Sequence, residues 1–376
     1  MNESAHQAQI NALLKERIAA GDFPSAVYLV GEQGKAIFAD ALGLAVTKPE
    51  TRATLETIYD LASLTKPLVT GLLTARRIER GEIQLDETVA HYLNEFETDD
   101  KQAITIRQLL THTSGLPAWR PLYITTGGEK ESALEAIASE SLVAAPGSHV
   151  LYSDLGFITL GLLLERIEKA SLSNLAREEI FEPLELRRTF FNPEAATQTE
   201  VAACETGNLY EREMCRDEAQ KYEGWRERLI WGEVHDGNAH FLGGAAGHAG
   251  LFSNARETMR LASQFLERQT QLLKPQTCRL FRANMTEGME EARSFAWQLA
   301  ATVDSTAGAS LPPDSFGHLG FTGTSCWIDA EHERIYILLT NRTHARKPPF
   351  VNLNSTRRKF HTLAAAALEA KGRFKV

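Results

Sequence analysis

Ser63 is the only serine in the 376-residue chain with a lysine three positions later, in Asp60-Leu61-Ala62-Ser63-Leu64-Thr65-Lys66-Pro67. Pro67 has no N–H and fits best at the first position of a helix, which leaves Ser63 and Lys66 in the turn that opens it. In either an α or a 3₁₀ turn, positions i and i+3 lie on one side. A neutral lysine amine there can take the serine proton, and the helix N-terminus favours the oxyanion that follows. The plainer reading is a capping serine beside a solvated lysine, and one such pair is expected by chance in a chain this long.

Two further segments carry chemistry-bearing residues. Tyr152-Ser153-Asp154-Leu155-Gly156-Phe157 follows Pro146-Gly147 and precedes a helix, so a phenol and a carboxylate meet at a loop–helix junction. Without partners, Asp154 reads as an N-cap and Tyr152 as a half-buried aromatic. Gly317-His318-Leu319-Gly320-Phe321-Thr322-Gly323-Thr324-Ser325 places three glycines where a strand begins, which lets a ligand or another backbone come close.

The elements that must position these segments follow from periodicity. Ile10, Leu13, Leu14 and Ile18 repeat at helical spacing over residues 4–20. Ser25 to Val30 and Ala36 to Ala39 flank a Gly34 turn and predict a β-hairpin. Near the other end, Thr324–Asp329 and Arg334–Asn341 form a second hairpin, followed by a Leu/Ala-rich helix at about 355–370. The helical period dominates from about 64 to 190, as in Leu155 to Ile167. The expected fold is therefore α+β: an antiparallel sheet from both chain ends, flanked by helices, enclosing an inserted, mainly helical region. Residues 1–62 and 253–376 form the sheet region and 63–252 the helical one, interleaved as one catalytic unit. Residues 191–240 are polar, show no clear period and read as long loops.

Composition narrows the function classes. A formal charge of −9, with 43% hydrophobic and 24% charged residues, is that of a globular protein. The acidic balance argues against nucleic-acid or anionic-membrane partners. The N-terminus has neither a basic start nor an apolar block of signal-peptide length, and no stretch approaches the ~18 apolar residues of a membrane span. The expectation is a cytoplasmic protein. Cys204, Cys215, Cys278 and Cys326 form no CxxC pair and read as buried thiols, with a Cys204–Cys215 disulfide as the alternative. His235-Asp236-Gly237-Asn238-Ala239-His240 invites a metal reading, but it lacks a third spaced ligand, and a polar loop is favoured. His112 and His248 read as loop organisers. Trp119, Tyr123, Trp225 and Trp231 fit either a pocket wall or packing.

Taken together and in this order, the three segments resemble the penicillin-recognising serine hydrolases: class C β-lactamases, D,D-peptidases and related carboxylesterases. Ser63-Leu64-Thr65-Lys66 matches S-x-x-K, Tyr152-Ser153-Asp154 stands where the family has Y-x-N, and His318-Leu319-Gly320 stands where it has K-T-G. Residues 104–117 and 244–253 are similar to the family's linking segments, so the likeness covers nearly the whole chain. The resemblance implies a β-lactamase/transpeptidase-like fold and an acyl-enzyme on Ser63. Lys66, kept neutral by its surroundings, would be the immediate base, with a Tyr152 phenolate as the alternative dominant base, and Tyr152 would relay protons. The N–H groups of Ser63 and Phe321 would form the oxyanion hole, with no metal or cofactor. Asp154, His318 and Gly320 would meet a small-molecule acyl substrate. Ionised, Asp154 only accepts hydrogen bonds, and its charge favours protonated Lys66. His318 replaces a permanent cation with a group mostly neutral near pH 7. Both departures, with the absent signal peptide, point to small esters or unusual amides. The alternatives are β-lactams or D-amino-acid peptides, and a non-catalytic binding scaffold.

Overall fold

The computed structural model describes residues 3–372. Its frame is a seven-stranded antiparallel sheet in the order β3-β2-β1-β10-β9-β8-β7. The N-terminal strands are β1 (Ser25–Glu32), β2 (Lys35–Thr47) and β3 (Glu50–Arg52). The C-terminal strands are β7 (Gln298–Leu299), β8 (Phe316–Leu319), β9 (Ser325–Asp329) and β10 (Arg334–Thr340). The two chain ends join at the centre, where Ala26 pairs with Thr340 and Glu32 with Arg334. Both predicted hairpins are present, the first longer than periodicity alone indicated.

Strand alternation sorts the side chains between two cores. Ala26, Tyr28 and Val30 of β1, with Tyr336 and Leu338 of β10, face the terminal helices α1 (Glu3–Ala19) and the helix Asn354–Gly372. Val27 and Leu29, with Ile335, Ile337 and Leu339, point the other way, into the large core that holds the helical region. That core contains α2 (Leu72–Arg80), α3 (Asp154–Glu168) and α4 (Ala255–Ala262). The Asn354–Gly372 helix is α5.

A second sheet of three short strands brings distant segments together in the order β4 (Tyr59–Asp60), β6 (Leu251–Ser253), β5 (Phe190–Phe191). Residues 191–240 are largely irregular, as expected, but include short helices such as Leu209–Cys215 and Gly237–Phe241. All four cysteines are buried free thiols, so Cys204 and Cys215 are not bonded to each other.

Candidate active site

The local fold first fixes the nucleophile turn. β4 ends at Asp60, and Ala62 takes φ 48°, a left-handed conformation uncommon outside glycine. Asp60 holds this turn: one carboxylate oxygen accepts the Ala62 N–H and the other the His235 N–H, both at 2.8 Å. Burial raises the Asp60 pKa, against the pull of those two N–H donors. Ser63 lies in a 3₁₀ turn, Ala62–Leu64, and Lys66 opens a wide π-type turn that runs into α2. Pro67 occupies the first turn, where its missing N–H costs nothing.

This geometry brings the serine and lysine together. Lys66 Nζ lies 2.9 Å from Ser63 Oγ, 3.3 Å from the His248 carbonyl and 2.7 Å from an Asp154 carboxylate oxygen. The lysine side chain is fully buried. Burial pulls its pKa down, but the charge and hydrogen bonding of Asp154 and Tyr152 outweigh that and leave it raised. Lys66 therefore rests as an ammonium ion, not as the amine kept neutral by its surroundings that the resemblance implied, because Asp154 and Tyr152 outweigh burial. Asp154 is not the helix cap: Ser153 caps α3 by accepting the Gly156 N–H at 3.2 Å. Asp154 is the first helical residue, turned to the lysine.

Tyr152 lies between the lysine and the glycine-rich strand. Its ring centre is 4.8 Å from Lys66 Nζ and 5.8 Å from the His318 ring. Burial raises the phenol pKa, and Lys66 and Ser63 only partly offset that, so the phenol is protonated at neutral pH. His112 is an organiser: its Nδ1 accepts the Ser153 N–H at 3.0 Å, and its ring packs 4.5 Å from Tyr152.

The strand is fastened to the nucleophile turn by two hydroxyls. Thr322 donates to the Asp60 carbonyl at 2.7 Å and Thr324 to the Leu61 carbonyl at 3.0 Å. A Cβ at Gly320 would lie 2.6 Å from the Leu61 carbonyl oxygen, so this contact requires glycine. His318 Nδ1 lies 2.9 Å from the Leu319 carbonyl and therefore carries the proton. Its Nε2 is buried and has no partner. Burial, with the charges of Lys66 and Arg293, pushes its pKa well below the ordinary histidine range, so His318 is neutral.

Ser63, Tyr152, Asp154, His318 and Gly320 line a cleft of about 430 Å³ together with Trp119, Tyr210, Glu211, Asp236, Arg293 and Phe321. Of Trp119, Tyr123, Trp225 and Trp231, Trp119 alone lines it. Tyr123 packs against Trp225 at 5.7 Å, and Trp231 donates to the Val201 carbonyl. The His235–His240 segment separates. His235 binds Glu205 at 2.9 Å and stacks on Phe321, Asp236 accepts from His248 Nε2 at 2.8 Å, and His240 is largely exposed.

Among the described residues, Asp154, Asp236 and His248 bring possible ligand atoms within 4.8 Å of one another. The Lys66 ammonium already serves this acidic group, so the arrangement is an ion-pair network rather than a metal cradle.

Sequence reasoning missed several supports. Asp60 lay inside the first segment but showed no sign of its two N–H partners. Arg357 donates to the carbonyls of Gly320 and Thr324, both at 2.9 Å, and Arg342 to the Phe321 carbonyl; neither belongs to a local motif. Arg293 lay outside every segment considered.

Known proteins share this architecture. The "Putative D-alanyl-D-alanine carboxypeptidase" of Escherichia coli (strain K12) is 29% identical over 367 residues, covering 90% of this chain and 82% of that protein. Among solved structures, "EstCE1, a hydrolase with promiscuous acyltransferase activity" is 23% identical with a TM-score of 0.73, over 97% of this chain and 98% of the other. A class C β-lactamase superposes with a TM-score of 0.74 at 17% identity, over 98% and 99% of the two chains. The Beta-lactamase family model matches residues 10–355, and the chain belongs to that family.

Proposed function

We propose that the protein is a serine hydrolase that cleaves small esters or amides through an acyl-enzyme on Ser63. The observation that carries this reading is the 2.9 Å contact of the buried Lys66 Nζ with Oγ of Ser63, which lines the cleft. In the reactive form Lys66 is a neutral amine and takes the Ser63 proton as Oγ adds to the carbonyl carbon. The carbonyl electron pair moves to oxygen, between the N–H groups of Ser63 and Phe321. Among the described residues, no backbone carbonyl outside the local turn accepts either N–H. Such donors contribute roughly 3–4 kcal/mol each to transition-state stabilisation. Collapse breaks the bond to the leaving group, which takes a proton from the Tyr152 phenol, and Lys66 passes the proton it took from Ser63 to the Tyr152 phenolate. Water then attacks the acyl-enzyme, with the same groups acting in reverse, and releases the acid and free Ser63.

Two departures favour esters over β-lactams. Asp154 cannot donate to an acyl-amide carbonyl as an asparagine would, and neutral His318 supplies no cation from the glycine-rich strand. The test is hydrolysis of p-nitrophenyl acetate, with intact mass read before deacylation completes. The parent should gain one acetyl group on Ser63, and Ser63→Ala should lose both the adduct and the turnover. Parent-like turnover by Ser63→Ala removes Ser63 from this role. Acylation by a fluorescent penicillin at a rate above that of the ester would replace the ester reading with the β-lactam one.

A further inference from the structure

The face of α3 that presents Asp154 carries a second carboxylate. From Asp154 it continues through Ile158 and Gly161 to Glu165, at helical spacings of four, three and four. Asp154 meets Lys66 at one end, and Glu165 lines a separate cavity of about 310 Å³ at the other. Among the described residues, none lines both this cavity and the cleft. One loop nevertheless borders both, since Gly247 lines the cavity and Ala249 the cleft. That loop is pressed on α3: a Cβ at Gly161 would lie 2.8 Å from both N and Cα of Gly247. Its Gly247 carbonyl accepts from Thr70 Oγ1 at 2.7 Å, and its His248 carbonyl faces Lys66 at 3.3 Å.

Inside the cavity an unpaired carboxylate faces aliphatic side chains. Ile158, Leu162, Leu172, Leu242 and Ala245 supply the apolar lining. Glu165 is half-buried, and one of its oxygens accepts the Leu172 N–H at 2.7 Å. Among the described residues the other oxygen has no hydrogen-bond partner, yet it is not sealed from the cavity. Burial raises the Glu165 pKa, and neither the Leu172 N–H nor the Lys130 charge offsets that. Lys130 and Glu131 also line the cavity, but both are exposed and opposite in sign, so Glu165 sets its charge. A desolvated carboxylate without a countercharge is costly, and a cation entering the cavity relieves it. A hard metal ion takes several oxygen ligands, which one free oxygen among aliphatic groups does not supply. An organic ammonium needs only that oxygen and an apolar wall, and the volume falls at the lower end of the roughly 300–1,000 Å³ of small-molecule sites.

We propose that this cavity is a second ligand site, distinct from the cleft, that takes a small primary amine in its ammonium form with a short alkyl or aryl body. The ammonium donates to the free Glu165 oxygen, and the body replaces water against Ile158, Leu162 and Leu172. The site is independent of the chemistry at Ser63, and its test does not depend on turnover.

The test is calorimetric titration of the full chain with hexylammonium, methylammonium, hexan-1-ol and hexanoate. Hexylammonium should bind at least tenfold more tightly than each of the other three, which lack the body, the charge or its sign. Glu165→Gln keeps an acceptor for the Leu172 N–H and should reduce the preference for hexylammonium over hexan-1-ol at least tenfold. Lys130→Met removes a like charge from the cavity lining and should tighten hexylammonium binding twofold or more, a gain that a damaged fold would not give. Asp154→Asn alters charge in the cleft alone and should leave the dissociation constant within twofold. No saturable binding of hexylammonium, or a preference that survives Glu165→Gln, overturns the proposal. Weaker binding by Lys130→Met does so too, and so does loss of affinity in Asp154→Asn, which would place the amine in the cleft.

Discussion

Replacing Asp154 with asparagine isolates the charge that keeps Lys66 protonated. The amide keeps the shape of the side chain and an oxygen that can accept from Nζ, so the change removes mainly charge. At 2.7 Å and an effective dielectric constant of about 20, the attraction amounts to about 6 kcal/mol. Asp154 is 19% exposed, which reduces that figure through solvent screening. If only a quarter survives, about 1.5 kcal/mol, the neutral fraction of Lys66 at a given pH rises about tenfold. The direction follows from the balance at Nζ: burial lowers the lysine pKa, Asp154 and Tyr152 raise it, and removing Asp154 leaves burial less opposed. Below the lysine pKa the rate follows the neutral fraction, so the parent should gain activity as pH rises into the alkaline range. In Asp154→Asn that limb should move to lower pH, with at least tenfold more activity near neutrality. Initial rates of p-nitrophenyl acetate hydrolysis from mildly acidic to alkaline pH measure it directly. A profile that keeps its position refutes the reasoning, because Lys66 is then not the group whose deprotonation limits the rate.

Two other perturbations probe the frame. Gly320→Ala would drive a Cβ against the Leu61 carbonyl oxygen at 2.6 Å, parting the strand from the nucleophile turn. Activity should fall about a hundredfold, as expected for a displacement near 1 Å, and parent-like kcat would show that the contact is slack. Burial, with the nearby Asp236 charge, pushes Glu211 up to about 7 despite hydrogen bonds from Gly237 N–H and Tyr123. A carboxyl raised on folding stabilises below its unfolded pKa and loses that contribution as pH rises to its folded pKa. Denaturant unfolding should therefore show stability declining by up to about 3 kcal/mol between about pH 4.5 and pH 7. Glu211→Gln should flatten that decline, and an unchanged slope would assign it to other groups.

What the sequence disclosed depended on whether a relation was periodic or local. The sheet was legible because β1 and β10 are short apolar runs beside turn residues, apolar on both faces: Val27 and Leu29 belong to one core, and Ala26, Tyr28 and Val30 to the other. The Ser63–Lys66 contact was legible because i and i+3 share a side of any tight helical turn. The Asp154–Lys66 pair was foreseen as an electrostatic effect, but Asp154 as a cap was not borne out, since Ser153 supplies the capping oxygen. The Asp236–His248 bond joins two loop positions that no period relates, and Arg293 reaches the cleft only through the register of β7 on β8. Residues 191–240 were opaque for a related reason. Their order rests on single contacts such as His235–Glu205 and Arg226 Nη1 to the Val234 carbonyl, which leave no repeating pattern.

The separation of support from charge explains how such a site can change substrate without losing its chemistry. Ser63 and the glycine-rich strand meet through Thr322 and Thr324, whose hydroxyls grip backbone carbonyls 262 and 263 positions away. Asp60 ties the same turn to His235, and Arg357 and Arg342, which line the cleft, hold strand carbonyls. None of these contacts involves the side chains of Asp154, His318 or Arg293. Those three instead set where protons rest and where charge lies: Asp154 beside Lys66, neutral His318 on the strand, and Arg293 next to it. Substitution of any of the three should therefore move pH dependence and substrate preference more than stability. Substitution of Thr322, Thr324 or Asp60 should reduce turnover of every substrate together.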